Sequence, residues 1–290
     1  MIFGGEKDQV IDNIRAAAGR GEFRVKVEVG DPELTEEQKS SLVREFWEKQ
    51  QRPRYCFCNR IARLIENTAA KLVNGSTQIE GLENLKGITG GAVITSNHFN
   101  PVDNTAIFTM VKKTGRKRLF IVSQESNLAM TGLFGFLMNY ADTVPMTADP
   151  DYLANTFMKN ISDLLDSGNW VMIYPEQEMW FNYRKPRPPK RGAYYYAAKC
   201  GVPVLSCFVE IVDLPEKEKN RDDFYQVRYI VHVLPPVYPQ EGQNVRQNSI
   251  AMMEKDYEQK RAAYEKAYGK PLTYDFEDGD IAGWIPLAAR

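Results

Sequence analysis

The chain has 290 residues, 43% of them hydrophobic, enough for one large domain or one domain with an appendage. Thirty-seven Lys and Arg against 38 Asp and Glu leave a formal net charge of −1, which removes any global electrostatic case for nucleic acid. No window approaches the ~20 consecutive apolar residues that a membrane-spanning helix requires.

In chain order, Asp8–Ala18 has the spacing of a short amphipathic helix, and Phe23–Val29 alternates like a strand. Thr35 and Gln38 form a capping box that opens a helix running to about Gln50, before Pro53. A second amphipathic helix, about Tyr55–Leu72, places Ile61, Leu64, Ile65 and Ala69 on one face, for core packing or for a membrane. Past Gly81 the pattern changes to short apolar runs between helices. Strands are expected at Ala92–Ser96, Leu119–Ser123, Trp170–Tyr174, Val204–Ile211 and Tyr225–Val237. Helices are expected at Tyr152–Ser167, Gly192–Cys200 and Val245–Tyr268, the first two closed by Gly168 and Gly201. Leu128–Phe136 reads as core, with an apolar groove as its other use. The expected architecture is α/β, a mostly parallel mixed sheet flanked by helices. Residues 1–77 form an N-terminal helical segment, 78–270 the α/β domain, and 271–290 an irregular tail without a site.

The four cysteines, Cys56, Cys58, Cys200 and Cys207, have no zinc-ligand spacing, and no metal site is expected. With no secretory segment at the start they read as reduced and structural, which places the protein in the cytoplasm or on the cytoplasmic face of a membrane.

Thr95-Ser96-Asn97-His98-Phe99-Asn100-Pro101-Val102-Asp103 holds one of the two histidines and an aspartate five positions on. A histidine that takes a proton near neutral pH works best when a carboxylate fixes its tautomer. On a regular helix two such residues would point about 140° apart, so the pair meets only if the chain bends. Asn100 as N-cap and Pro101 at the first helical position supply that bend. His98 then lies on a strand-to-helix loop and Asp103 in the first helical turn.

A second strand, Val171–Tyr174, ends in Pro175-Glu176-Gln177, followed by the basic run Arg184 to Arg191. An acid at a strand end beside Arg184, Arg187, Lys190 and Arg191 suits either a polyol phosphate, the carboxylate accepting from hydroxyls while guanidinium groups grip the anion, or a surface loop in which Glu176 pairs with a neighbouring arginine. The other dense cluster, Lys112–Arg118, reads as a solvated loop.

Together these motifs resemble the glycerolipid acyltransferase family, the lysophosphatidic acid acyltransferase group. His98 and Asp103 match its His-x4-Asp box, and Tyr174-Pro175-Glu176 is similar to its (Phe/Tyr)-Pro-Glu-Gly box. Lys190-Arg191-Gly192-Ala193, Ala197 and Gly201-Val202-Pro203-Val204 resemble its closing stretch, and the likeness covers about residues 78–237. The resemblance implies transfer of a fatty acyl group from an acyl thioester, carried by coenzyme A or an acyl carrier protein, to a lysolipid hydroxyl, with no bound cofactor. His98 would be the general base and Asp103 its orienter. Asn97, Glu176, Gln177, Arg184, Arg187, Lys190 and Arg191 would bind substrate, and peripheral membrane contact is implied. Two departures touch the acceptor: Gln177 stands where the family has glycine, and Thr147 where it often has an arginine. A glycolipid or another hydroxyl compound is therefore open as acceptor. A hydrolase using the same pair, and a lipid-binding member without catalysis, are the alternatives.

Overall fold

The computed structural model describes residues 7–30, 34–219 and 221–286. Its first elements are α1 (Lys7–Gly19), α2 (Glu36–Gln50), α3 (Pro53–Val73), β1 (Gln78–Glu80), β2 (Ala92–Thr95) and α4 (Asn104–Lys113). Then come β3 (Phe120–Gln124), α5 (Gly132–Tyr140), β4 (Thr143–Met146), α6 (Met158–Asp166) and β5 (Trp170–Met172). The chain continues through α7 (Gly192–Cys200), β6 (Val204–Lys217), β7 (Tyr225–Val233) and α8 (Val245–Tyr268). The strands form one seven-stranded sheet in the order β1-β7-β6-β2-β5-β3-β4. From β6 to β4 every pairing is parallel; β7 runs antiparallel to β6, and β1 lies parallel to β7. This is the α/β fold with a mostly parallel mixed sheet, preceded by helices, that the alternation of apolar runs and helices predicts.

Strand β2 shows why the sheet is covered on both faces. All four of its residues are buried. Ala92 and Ile94 pack with Ile107, Met110 and Val111 of α4, whereas Val93 packs with Ile161 and Leu165 of α6 and with Ala193 and Ala197 of α7. Successive side chains of a strand point to opposite faces, so an uninterrupted apolar run needs helices on each side. Gly91 ahead of β2 lets the end of α6 cross closely: a Cβ there would sit 2.1 Å from the Leu165 carbonyl oxygen. Beneath the end of β2, the Thr95 hydroxyl donates to Asp256 of α8 (2.9 Å), and Lys260 donates to both Thr95 (2.9 Å) and Asp256 (2.7 Å). Tyr194 of α7 also donates to Asp256, so a buried polar cluster ties two helices to the strand that leads to His98.

Three expectations are corrected, and the tail, irregular as expected, is also packed. Residues 23–29 make no strand; their carbonyls are taken by side chains, Phe23 by Arg187 (3.0 Å), Val25 by the Trp180 indole (3.1 Å) and Val27 by Asn13 (2.9 Å). Helix α3 turns Asn59, Ala62 and Ala70 inward, while Phe57 and Leu64 are each 67% exposed and Leu72 is 79% exposed. Small and polar residues on the inner side let α3 lie close to α4 and α5; Asn59 donates to the Tyr140 carbonyl (2.7 Å) and Asp142 (3.1 Å). The helix expected at 152–167 opens with a π-helical turn, Tyr152–Phe157. The tail past Pro271 is irregular but packed: Ile281 joins Val10, Ile11 and Ile14 of α1 around Trp180, Phe181 and Tyr183.

Candidate active site

Strands β2 and β5 are parallel neighbours, with Ile94 opposite Met172, so the segments that follow them leave the sheet side by side. The C-terminal edge of such a sheet is where loops converge into sites. The first of these loops carries His98 and the second Tyr174, Pro175 and Glu176.

The bend between His98 and Asp103 forms as the sequence predicts, but the helix after it begins later than expected. The Asn100 side chain accepts from the Val102 N–H (3.1 Å), and the Asp103 N–H donates to the Asn100 carbonyl (3.0 Å). Helix α4 begins only at Asn104, so Asp103 is the residue before the helix and not part of its first turn. Its side chain folds back over the loop. Oδ2 accepts from His98 Nδ1 (2.9 Å), the Phe99 N–H (2.8 Å) and the Asn100 N–H (3.1 Å). Oδ1 accepts from the Tyr174 hydroxyl, whose ring stacks on the imidazole at 3.8 Å between centroids and 17° between planes. The carboxylate is buried, and the His98 side chain keeps 20% of its surface. With Nδ1 engaged, Nε2 is the ring nitrogen left for a ligand.

Glu176 lies under this loop. Its Oε2 accepts from the His98 backbone N–H (3.2 Å) and from Arg187 Nε (3.0 Å), and its Oε1 accepts from the Arg187 N–H (2.9 Å). Arg187 also donates to the carbonyls of Phe23 (3.0 Å), His98 (3.4 Å) and Glu178, and lies over the Trp180 ring at 4.7 Å. Burial lowers the proton affinity of its guanidinium, while Glu176 opposes that shift. The remaining wall is built by residues 180–184. The Trp180 and Asn182 N–H groups donate to the His98 (3.1 Å) and Phe99 (2.8 Å) carbonyls. On its other side Asn182 exchanges hydrogen bonds with Ala282, and Tyr183 bridges to Ile281.

Only part of the expected substrate grip faces outward. Glu176 and Arg187 spend their polar atoms on each other and on the backbone, and both are buried. Arg184 pairs with Asp213 (2.6 Å) and donates to the Gly279 (3.0 Å) and Ile211 carbonyls. Asn97 is fully buried as a latch to β6, donating to the Val209 carbonyl (3.0 Å) and accepting its N–H (2.8 Å). These four residues shape the site from behind, where the motif reading had them touching substrate. Lys190 and Arg191, at the start of α7, are exposed, and Gln177 is half-buried. Gln177 has φ +67, a left-handed conformation that costs an L-residue with a side chain roughly 1–2 kcal/mol. The backbone here keeps the shape a glycine would favour, although the residue is glutamine. At the other departure, the Thr147 hydroxyl accepts from the Asp149 N–H (3.0 Å). Tyr174 had no role assigned from sequence; the signal was its place at the end of the strand beside β2.

Comparison with known proteins places these motifs in context. A family model described as Acyltransferase matches residues 76–210. The chain is 30% identical over 164 residues to 1-acyl-sn-glycerol-3-phosphate acyltransferase BAT2, chloroplastic, of Brassica napus. That match covers 56% of this chain and 45% of the relative, so the chain spans less than half the length of the curated protein it matches. The fold is similar to that of the 1-acyl-sn-glycerophosphate acyltransferase PlsC from Thermotoga maritima, with a TM-score of 0.50 and 18% identity, covering 81% of this chain and 90% of that one. Residues 76–210, which hold His98, Asp103, Tyr174, Glu176 and Arg187, are thus the part of the chain that matches the Acyltransferase family model.

Proposed function

We propose that this protein moves a fatty acyl group from an acyl thioester to a hydroxyl of a lysoglycerolipid-like acceptor, with His98 as general base. The observation that carries this reading is the 2.9 Å contact from His98 Nδ1 to a buried Asp103, which leaves Nε2 as the free ring nitrogen at the edge of the sheet. The acceptor O–H gives its proton to Nε2 as its oxygen attacks the thioester carbonyl carbon. The tetrahedral oxyanion then collapses, the carbon–sulfur bond breaks, and the leaving thiolate takes the proton from the imidazolium. The new ester and a free thiol are the products, and no enzyme nucleophile is consumed. Lys190 and Arg191, exposed beside Pro175, are the cations of the basic run open to an anionic substrate group; the Lys190 N–H donates to the Pro175 carbonyl (2.8 Å).

The same reading places the protein on a membrane surface. Among the described residues no helix is long and apolar enough to cross a membrane. Phe57, Ile61, Leu64 and Leu72 share one stripe of α3 at about 100° per residue. Exposed Arg54, Arg60 and Lys71 flank that stripe. An apolar stripe bordered by cations suits the headgroup boundary of an anionic bilayer.

Direct mass spectrometry of products tests the reaction. Wild-type protein and a His98→Gln variant would be given palmitoyl-CoA or palmitoyl carrier protein with a panel of lysolipids and glycolipids. An acylated product made by the wild type and lost in the variant is expected. Thioester cleavage without acylated product would instead favour a hydrolase, and lipid binding without turnover a non-catalytic member of the family.

A further inference from the structure

We propose that Tyr174 is a positioning residue that sets how tightly His98 holds its proton, acting through Asp103. The inference rests on the reading of His98 as general base. Tyr174 makes two contacts with the pair at once: its ring lies flat on the imidazole at 3.8 Å, and its hydroxyl donates to Asp103 Oδ1. The carboxylate is thereby divided. Oδ2 serves the imidazole and two loop N–H groups, and Oδ1 serves the phenol.

A donor on Oδ1 draws negative charge away from the oxygen that faces His98, and so weakens the support given to the imidazolium. It also stops the carboxylate from rotating, which holds the imidazole in the tautomer with Nδ1–H toward Asp103. Burial, and then the neighbouring Asp103, push the phenol well above its ordinary value, so Tyr174 remains a donor across the working pH range. The other charged and titratable groups around the loop act at greater remove. Glu176 meets the His98 backbone N–H, and Arg187 Nη2 lies 3.4 Å from the His98 carbonyl. Tyr229 packs on Phe99 with 5.3 Å between ring centroids. Among the ring contacts and side-chain hydrogen bonds of the described residues, Tyr174 is the group that touches both members of the pair.

Tyr174→Phe keeps a ring for stacking and removes the donor. The acidic limb of the acyl-transfer pH–rate profile is expected to move up by about 0.5–1 pH unit, a loss of about 3–10-fold below the limb. The acceptor KM should change far less than kcat. A readout independent of turnover is the imidazole titration followed by NMR. The chain has two histidines, so the His98 signals are assigned by comparison with His232→Gln. The His98 midpoint should rise by the same amount in Tyr174→Phe. If that variant fails to fold, 3-fluorotyrosine introduced at position 174 decides the matter, because its more acidic hydroxyl is a stronger donor and should move the midpoint down. A His98 midpoint that stays put in the folded variant, or moves in the opposite direction, overturns the proposal. A midpoint that moves as expected in a protein with no acyl-transfer activity would uphold the coupling while removing the acyltransferase reading.

Discussion

Arg187 and Glu176 form an ion pair beneath the His98 loop, 2.9 Å from Nη2 to Oε2, with each side chain almost wholly shielded from water. A buried pair of this kind is costly to break, because the surviving charge has no water to turn to. Arg187→Met is therefore expected to destabilise the protein by about 3–5 kcal/mol in urea unfolding. Adding Glu176→Leu to that variant should recover part of the loss. If the single variant unfolds like the wild type, the pair does not hold the loop.

Asp103 offers a different test, because it accepts four hydrogen bonds and an asparagine cannot. Asp103→Asn would turn an amide N–H₂ toward at least one of these donors and favour the wrong imidazole tautomer. Acyl transfer measured under single-turnover conditions is expected to fall by about 10²–10⁴-fold. A fall of less than threefold would remove Asp103 from the mechanism.

Glu66 on α3 makes stability depend on pH. Burial pushes its carboxyl up to about 7, Asp142 pushes in the same direction, and Arg63 opposes them. In the pH window between its ordinary 4.5 and about 7, the folded state holds a proton that the unfolded chain has lost. Stability from this group is thus present below pH 4.5, drains away as pH rises toward 7, and stays low above it. Glu66→Gln should be more stable than the wild type at pH 8 by about 1–3 kcal/mol, with the advantage gone near pH 4.5. Urea unfolding of both proteins at the two pH values reads the difference, and an advantage equal at both would refute the assignment.

The exposed face of α3 can be tested without touching the core. Phe57→Asp with Leu64→Asp replaces two side chains that are each 67% exposed, so the folded protein should survive. Inserting such a side chain into an apolar layer is worth about 1.5–3 kcal/mol. Co-sedimentation with phosphatidylglycerol vesicles is expected to weaken at least tenfold. Binding unchanged in the double variant would move the contact elsewhere on the molecule.

The sequence shows what is local. The meeting of His98 and Asp103 depends on Asn100 and Pro101 between them, and the uninterrupted apolar run at Ala92–Ile94 shows a strand covered on both faces. Even there, the α-helix starts later than the Asn-Pro signal suggests: Asn100 caps Val102, but residues 101–103 close three-residue turns and the α-helix begins at Asn104. Contacts set by the return path of the chain are not legible in this way. The basic run from Arg184 looks like an exposed grip, yet Arg187 meets Glu176 inside the protein and Arg184 is held by Asp213 at its surface. Asp213 carries no signal in the sequence, and Glu176 reads as a substrate ligand until the β5 loop folds back on Arg187. Helix α3 misleads for the opposite reason: its apolar stripe predicts the buried face, but close packing selects the side with Ala62 and Ala70.

The wall beneath His98 has a consequence for how the protein is made. Asn182 and Tyr183 complete that wall through Ala282 and Ile281, nearly two hundred residues beyond the histidine. A ribosome adding about 5–20 residues per second needs roughly 10–35 s to travel from Asp103 to Ala282. During that interval the nascent chain carries the paired histidine and aspartate on a loop with no backing. Competence for chemistry is then expected to arrive late and abruptly, once Ile281 and Ala282 have been added, and a translation product stopped before Ile281 would carry both motifs without the floor that supports them.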